Sequence, residues 1–133
     1  MAYQKTILVT GGAGFIWLNF ISYFLEKYPR YRVVNLDRLT YAANRKELNK
    51  LNHYPNYRFV QGDINDRQLV EELFSQFAID GVIHFAAESH VDRSIEGPDI
   101  FIKTNVHGTF TLLDVAKNEW LAKDKTHETR FHH

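Results

Sequence analysis

The chain has 133 residues, of which 44% are hydrophobic and 24% charged, and its 16 basic side chains balance 16 acidic ones. This size suits one domain with a sizeable core, and the balanced charge gives no reason to expect nucleic acid or a membrane surface as a partner. The absence of cysteine excludes disulfides and thiolate metal ligands. Since no apolar run reaches membrane-spanning length and the first residues lack a signal-peptide core, we expect a soluble cytoplasmic protein.

Predicted strands and helices alternate along the sequence. The hydrophobic patterns predict, in chain order, a strand at 6–10, a helix at 15–28, a strand at 31–37, a short helix at 45–51, a strand at 57–61, a helix at 67–77, a strand at 81–87, a helix at 98–120 and an extended end at 129–133. Asp66 is expected to cap the helix at 67–77. The strands are near-continuous apolar runs, as strands covered on both faces are.

This alternation predicts an α/β fold, a doubly wound parallel sheet of the Rossmann type with right-handed crossovers and strand order 3-2-1-4-5. Such a fold normally has about six strands, whereas this sequence supplies about four or five. We therefore expect residues 1–133 to form an incomplete domain, truncated after these strands, with the C-terminal substrate domain absent.

A glycine-rich turn after the first strand points to a dinucleotide site. Gly11 and Gly14 allow a tight turn and let the backbone and the following helix N-terminus approach a pyrophosphate. The pattern normally has a third glycine, and Trp17 occupies that position. Because Trp17 shares a helical stripe with Ile21, we expect its indole to face the sheet, push the first helix off it, and weaken or block cofactor binding.

Asp37 ends the second strand, where an acidic residue accepts hydrogen bonds from the adenosine ribose. Its carboxylate would repel a 2′-phosphate, which favours NAD over NADP, although the adjacent Arg38 could soften that preference. A turn or cap role is the alternative for Asp37, and the glycine-rich turn favours the cofactor role. For Asp63, after the third strand, an adenine contact and a turn role are equally compatible with the sequence.

A dense polar segment follows the fourth strand. His84 is expected to be a hydrogen-bonded core histidine, and the small residues Ala86 and Ala87 would let a cofactor pass close to the backbone. His90 and Asp92 lack a third ligand at suitable spacing, so we expect no metal site. Arg93 would pair with a phosphate or with Asp92. Further along, Thr104 and Asn105 need partners from a loop or a cofactor, and Gly108 would allow close helix packing.

Together these segments resemble the dTDP-glucose 4,6-dehydratases, a family of extended short-chain dehydrogenases/reductases. The resemblance runs over nearly the whole chain and is carried by residues 10–16, 37–42, 62–64, 84–95 and 104–105. The run at 84–95 and the turn at 37–41 are its most specific parts.

The resemblance implies NAD as the cofactor and assigns its contacts. Phe15 and Ile16 would line the pyrophosphate, residues 37–40 would hold the ribose, Asp63 and Ile64 would flank the adenine, and residues 85–89 would run beneath the cofactor. Ser89 would also face the sugar nucleotide. The implied NAD-binding residues are Gly11, Gly14, Phe15, Ile16, Asp37, Arg38, Leu39, Thr40, Asp63, Ile64, Phe85, Ala86, Ala87, Glu88, Ser89 and Thr104.

The resemblance further implies a lyase of nucleotide-sugar and deoxysugar metabolism that converts dTDP-glucose to dTDP-4-keto-6-deoxyglucose. NAD would oxidise C4, water would be eliminated across C5 and C6, and the hydride would return to C6. The family's catalytic groups would lie beyond His133, so we expect no catalytic residue in this chain and no activity from it alone. We expect a homodimeric parent protein. We also expect self-association of this chain through the edge of the fourth strand, which only residues 129–133 could cover.

Two other functions are compatible with the sequence. One is a nucleotide-sugar epimerase, which would share the cofactor site. The other is a non-catalytic binding or assembly module, which Trp17 and the missing catalytic groups suggest.

Overall fold

The computed structural model describes residues 3–11, 15–38, 49–85, 107–123 and 129–132. A 3₁₀ turn occupies Lys50–His53. The strands are β1 (Lys5–Thr10), β2 (Tyr31–Asp37), β3 (Tyr57–Gln61), β4 (Gly81–His84) and β5 (Arg130–His132), and the helices are α1 (Phe15–Lys27), α2 (Arg67–Phe77) and α3 (Thr109–Ala122).

The strands form one parallel sheet in the order β3-β2-β1-β4-β5, which confirms the predicted α/β fold and strand order. β1 is the centre, since Thr10 lies opposite Leu36 of β2 and opposite His84 of β4. Because all pairings are parallel, the carboxyl ends of β1 to β4 meet at one edge of the sheet.

Alternate residues of the strands face two different helix layers. Leu8, Val34 and Val82 pack with α2 and α3 in one core cluster. Val9 and Val33, one position away, pack with α1 in the other. Burial on both faces accounts for the near-continuous apolar sequence of these strands. Phe131 of β5 packs against the α2–α3 core.

The ends of the helices follow from local chemistry. The Asp66 carboxylate accepts a hydrogen bond from the Leu69 N–H at 3.2 Å and caps α2, as predicted. Gly108 precedes α3, and a Cβ there would lie 2.4 Å from Ile64 Cδ1, so any larger residue would require the Ile64 side chain to shift. The close packing expected at Gly108 is confirmed.

Several predicted boundaries differ from the structure. β4 ends at His84 rather than at residue 87, and α1 ends at Lys27. In the described part of the short helix predicted at 45–51, Asn49 is α-helical and the chain continues as the 3₁₀ turn Lys50–His53. Residues 45–48, 86–87 and 98–106 lie outside the described residues.

The edge of β4, which only residues 129–133 could cover, is covered in the structure. Residues 81–83 of β4 pair with Arg130, Phe131 and His132 of β5. Phe131, which is partly buried, also packs against the α2–α3 core. β4 is therefore an inner strand of the sheet.

Trp120 fixes the end of α3 to the start of β4. Its indole N–H donates a hydrogen bond to the Ile79 carbonyl at 2.8 Å, and the ring meets Phe74 edge to face at 6.1 Å between centroids. Trp120 and Ile79 are both buried, so the bond is shielded from water. A buried carbonyl deprived of its donor costs free energy.

We predict that Trp120→Phe lowers the free energy of unfolding by about 1–3 kcal/mol, because the Ile79 carbonyl loses its donor while most of the ring volume remains. Urea unfolding followed by circular dichroism measures this. Leu121→Ala, at the neighbouring exposed position, should change it by less than about 0.5 kcal/mol. Equal losses in the two variants would contradict a role for the hydrogen bond.

Candidate functional site

The candidate site lies at the carboxyl edge of the sheet, where β1, β2, β3 and β4 end together. Gly11 follows β1 with a φ of 78°, a left-handed conformation that favours glycine. Its N–H donates to the Leu36 carbonyl at 2.9 Å, so this amide completes the β1–β2 pairing. α1 begins at Phe15, four residues later, and presents its N-terminus to the same edge.

Asp37 ends β2 beside Gly11 and is half-buried. Its carbonyl accepts a hydrogen bond from the Gly62 N–H at 3.0 Å, which ties the end of β2 to the end of β3. A carboxylate held at this rim can accept hydrogen bonds from the hydroxyls of a ribose.

A buried tyrosine lies below this carboxylate. The Tyr57 hydroxyl accepts a hydrogen bond from Asn35 Nδ2 at 3.2 Å. Burial, with a smaller contribution from the negative charge of Asp37, raises the pKa of Tyr57 to about 12. Tyr57 therefore remains neutral at physiological pH, and the Asn35–Tyr57 hydrogen bond joins β2 to the start of β3 without adding charge. No sequence pattern indicates this pair, because it joins residues on different strands.

Asp63 follows β3 and combines two roles. Its Oδ1 accepts hydrogen bonds from the Asn65 N–H at 2.8 Å and from Asn65 Nδ2 at 3.1 Å, the turn role considered from the sequence. Its Oδ2 forms an ion pair with Arg38 Nε at 3.4 Å. The adenine contact of Asp63 stays a prediction.

His84 links three elements at the centre of the edge. Its Nδ1 lies 2.6 Å from Thr10 Oγ1 at the end of β1, and its Nε2 lies 2.9 Å from Thr109 Oγ1 at the start of α3. The side chain is 3% exposed. This confirms the expected core histidine. Thr109 was not singled out from the sequence, because its contact with His84 depends on how α3 packs.

Trp17 lies flat against Phe85, the residue after β4. Their ring centroids are 3.9 Å apart with planes 5° from parallel, and Phe20 meets Phe85 edge on at 6.0 Å. α1 is nevertheless seated on the sheet, since Leu18 and Ile21 are buried in its core cluster. The expectation that the indole pushes α1 off the sheet is therefore wrong, because stacking on Phe85 accommodates the ring.

Other predicted site residues are placed only in part. The side chain of Ile64 is buried in the α2–α3 core, so in this structure it serves packing. Phe15 and Ile16 open α1. The predicted residues that lie outside the described ranges are Gly14, Leu39, Thr40, Ala86, Ala87, Glu88, Ser89, His90, Asp92, Arg93, Thr104 and Asn105.

In the part of the chain that the structure describes, no three histidine or acidic side chains are grouped to hold a metal ion. Of the helices described, none is both long and apolar enough to cross a membrane.

These features define a class of protein. A parallel sheet with a left-handed glycine after β1, a helix starting directly beyond that turn and an acidic residue at the end of β2 form a nucleotide-binding α/β domain of the Rossmann type.

The family follows from comparison with known proteins. The model of the GDP-mannose 4,6 dehydratase family matches residues 8–133, and the chain belongs to this family. The dTDP-glucose 4,6-dehydratase of Haemophilus influenzae is 48% identical over 132 residues, which cover 98% of this chain and 39% of that protein. The resemblance inferred from the motifs is confirmed.

Solved structures of a dehydratase and an epimerase are also similar to this chain. A dTDP-glucose 4,6-dehydratase from Streptomyces venezuelae, with NAD and TYD bound, matches with a TM-score of 0.76 and 48% identity, over 86% of this chain and 36% of that one. A UDP-glucose 4-epimerase from Thermotoga maritima, with UDP-glucose, matches with a TM-score of 0.75 and 32% identity, over 86% of this chain and 35% of that one. The chain thus spans less than two fifths of the length of these relatives.

We predict that Trp17→Gly improves affinity for NAD, because it removes the indole from the helix–strand contact where the dinucleotide-binding pattern has glycine. It should also lower the free energy of unfolding by about 1–2 kcal/mol through loss of the Phe85 stack and of helix propensity. Calorimetric titration and urea unfolding measure the two effects. Trp17→Phe, which can keep a stack, is the control and should leave affinity low. Equal NAD affinity in wild type and Trp17→Gly would show that the stack does not hinder the cofactor.

Proposed function

We propose that this chain is the NAD-binding part of a nucleotide-sugar 4,6-dehydratase that converts dTDP-glucose to dTDP-4-keto-6-deoxyglucose. Its relatives in Haemophilus influenzae and Streptomyces venezuelae carry the dTDP-glucose 4,6-dehydratase name, and NAD is bound in the second. The observation that carries the proposal is the half-buried Asp37 at the end of β2, beside the left-handed Gly11.

The described residues fit such a cofactor. Gly11 and the N-terminus of α1 would face the pyrophosphate, and Asp37 would accept hydrogen bonds from the adenosine ribose. Asp63 would face the adenine. Phe85 begins the segment that would run beneath the cofactor, with Ser89 toward the sugar nucleotide.

The chemistry requires a carrier that accepts a hydride from C4 of the sugar and returns it to C6, which NAD supplies when bound. The task of this chain's residues is to bind and orient that carrier. The elimination of water across C5 and C6 needs a positioned acid and base, and we assign no catalytic residue among these 133.

The assignment of Asp37 gives a direct test. We predict that the chain binds NAD more tightly than NADP and that Asp37→Asn weakens NAD binding about tenfold or more, because charge-assisted hydrogen bonds to the ribose are lost. Isothermal titration with both cofactors measures this, using Trp17→Gly as the parent if wild type is too weak.

Asp114→Asn is the matched control, because Asp114 is a carboxylate on α3 that pairs with Arg67 rather than lying at the strand ends. Tighter binding of NADP, or unchanged NAD affinity in Asp37→Asn, would contradict the role of Asp37.

A nucleotide-sugar epimerase is the second enzymatic candidate, supported by the likeness to the Thermotoga maritima enzyme. Both activities use the same cofactor site, so the described fold supports them equally. Product analysis separates them in the protein that carries this chain, since a dehydratase removes water and an epimerase inverts C4.

A non-catalytic binding or assembly module is a third candidate. The Trp17–Phe85 stack favours it, because an aromatic pair occupies the helix–strand contact where the dinucleotide-binding pattern has glycine. Failure of both wild type and Trp17→Gly to bind NAD would favour this function. The cytoplasmic location stays a prediction.

We also propose that the protein forms a homodimer through α3. Phe110, Leu113 and Leu121 lie on one stripe of this helix, which also carries the exposed Lys117, and the three apolar side chains are 63%, 45% and 56% exposed. By contrast, the outward residues of the neighbouring α2 are polar: Arg67, Gln68, Glu71, Glu72, Ser75 and Gln76. An apolar stripe beside a polar helix marks an interaction surface, and a two-fold axis would pack it against its own copy.

We predict that Leu113→Glu raises the dissociation constant of the dimer at least about tenfold, because a charge enters the apolar stripe. Sedimentation at several concentrations measures this. Ser75→Glu on the exposed face of α2 is the control and should leave association unchanged. A wild-type chain that stays monomeric at every concentration would contradict the proposal.

A further inference from the structure

We propose that Asp63 is a positioning residue that sets the choice between NAD and NADP by engaging the guanidinium of Arg38. The inference rests on the proposed function, since it assumes that the ribose binds at Asp37. It concerns Arg38 and Asp63, which follow β2 and β3, rather than Gly11 and Asp37, on which the proposed function rests.

The geometry fixes the Asp63 carboxylate before any cofactor binds. Both hydrogen bonds from Asn65 fall on Oδ1, at 2.8 and 3.1 Å. The other oxygen, Oδ2, is directed to Arg38 Nε at 3.4 Å. The hydrogen bond from the Gly62 N–H to the Asp37 carbonyl keeps the two loops together, so Asp63 and Arg38 remain neighbours.

Arg38 is the residue on which a 2′-phosphate would depend. In Rossmann folds an arginine near the ribose-binding acid accommodates that phosphate, and Arg38 directly follows Asp37. A guanidinium binds phosphate best when two of its N–H groups are available together. Asp63 competes for the same guanidinium and contributes a negative charge of its own.

The charge balance points the same way. Asp37, Arg38 and Asp63 together carry one net negative charge, which disfavours a cofactor with an additional phosphate. The side chains of Arg38 and Asp63 are 35% and 37% exposed, so their ion pair contributes little to stability. Its consequence is therefore expected in cofactor discrimination rather than in folding.

The test compares the dissociation constants of NAD and NADP by titration calorimetry in wild type, Asp63→Asn, Arg38→Gln and the double variant. The two cofactors differ only in the 2′-phosphate, so the ratio of their constants cancels any contact between Asp63 and the adenine. We expect Asp63→Asn to lower the ratio of the NADP dissociation constant to the NAD dissociation constant about five- to tenfold, because Asp63 no longer competes with the phosphate for Arg38.

The double variant separates positioning from simple repulsion. In the Arg38→Gln background, Asp63→Asn should lower the ratio by less than about twofold, because only the direct repulsion between its charge and the phosphate is then removed. The control Asp114→Asn should leave the ratio unchanged in wild type. An equal fall with and without Arg38 would overturn the proposal, because Asp63 would then act on the phosphate directly. An unchanged ratio in Asp63→Asn would overturn it as well.

The outcomes also distinguish this inference from the proposed function. If wild type binds neither cofactor, the series is repeated in Trp17→Gly. If Trp17→Gly also binds neither cofactor, both the proposed function and this inference are contradicted. Binding of NAD with an unchanged ratio would remove the inference alone.

Discussion

The parallel pairing of β1 with both of its neighbours is the constraint on which the rest of the structure depends. β1 lies at the centre of the sheet, and Thr10 at its end is level with Leu36 and His84. This register brings the turn at Gly11, the acidic end of β2 and the end of β4 to one edge. The alignment brings four separate strand ends together at the candidate site.

Helix α3 is attached to this sheet at both ends. At its start, Thr109 contacts His84 and Gly108 fits against Ile64. At its end, Trp120 donates to the carbonyl before β4. Two anchors leave the helix little freedom to rotate, and its apolar outer stripe is therefore presented in a fixed direction. The same helix contacts His84 on one side and exposes Phe110, Leu113 and Leu121 on the other.

Trp17 shows how a fold absorbs a substitution that its local pattern argues against. A glycine at this position would let α1 and β4 approach closely, and an indole should overpack the contact. The structure places the indole parallel to the Phe85 ring, at ordinary stacking distance, while Ile21 and Leu25 stay buried on the sheet. Accommodation depends on the neighbour at position 85 being aromatic, which is a property of the pair rather than of Trp17 alone.

The sequence by itself determined the alternation of strands and helices, the strand order, the α2 cap at Asp66 and the core role of His84. These depend on periodicity, on capping chemistry and on the topology that βαβ units impose, all of which are local or general. Tertiary structure alone decided that Ile64 serves the core, that Asp63 pairs with Arg38 and that Trp17 stacks on Phe85. Each of these joins residues from different elements, and the distance between such residues is set by packing, which no short stretch of sequence contains.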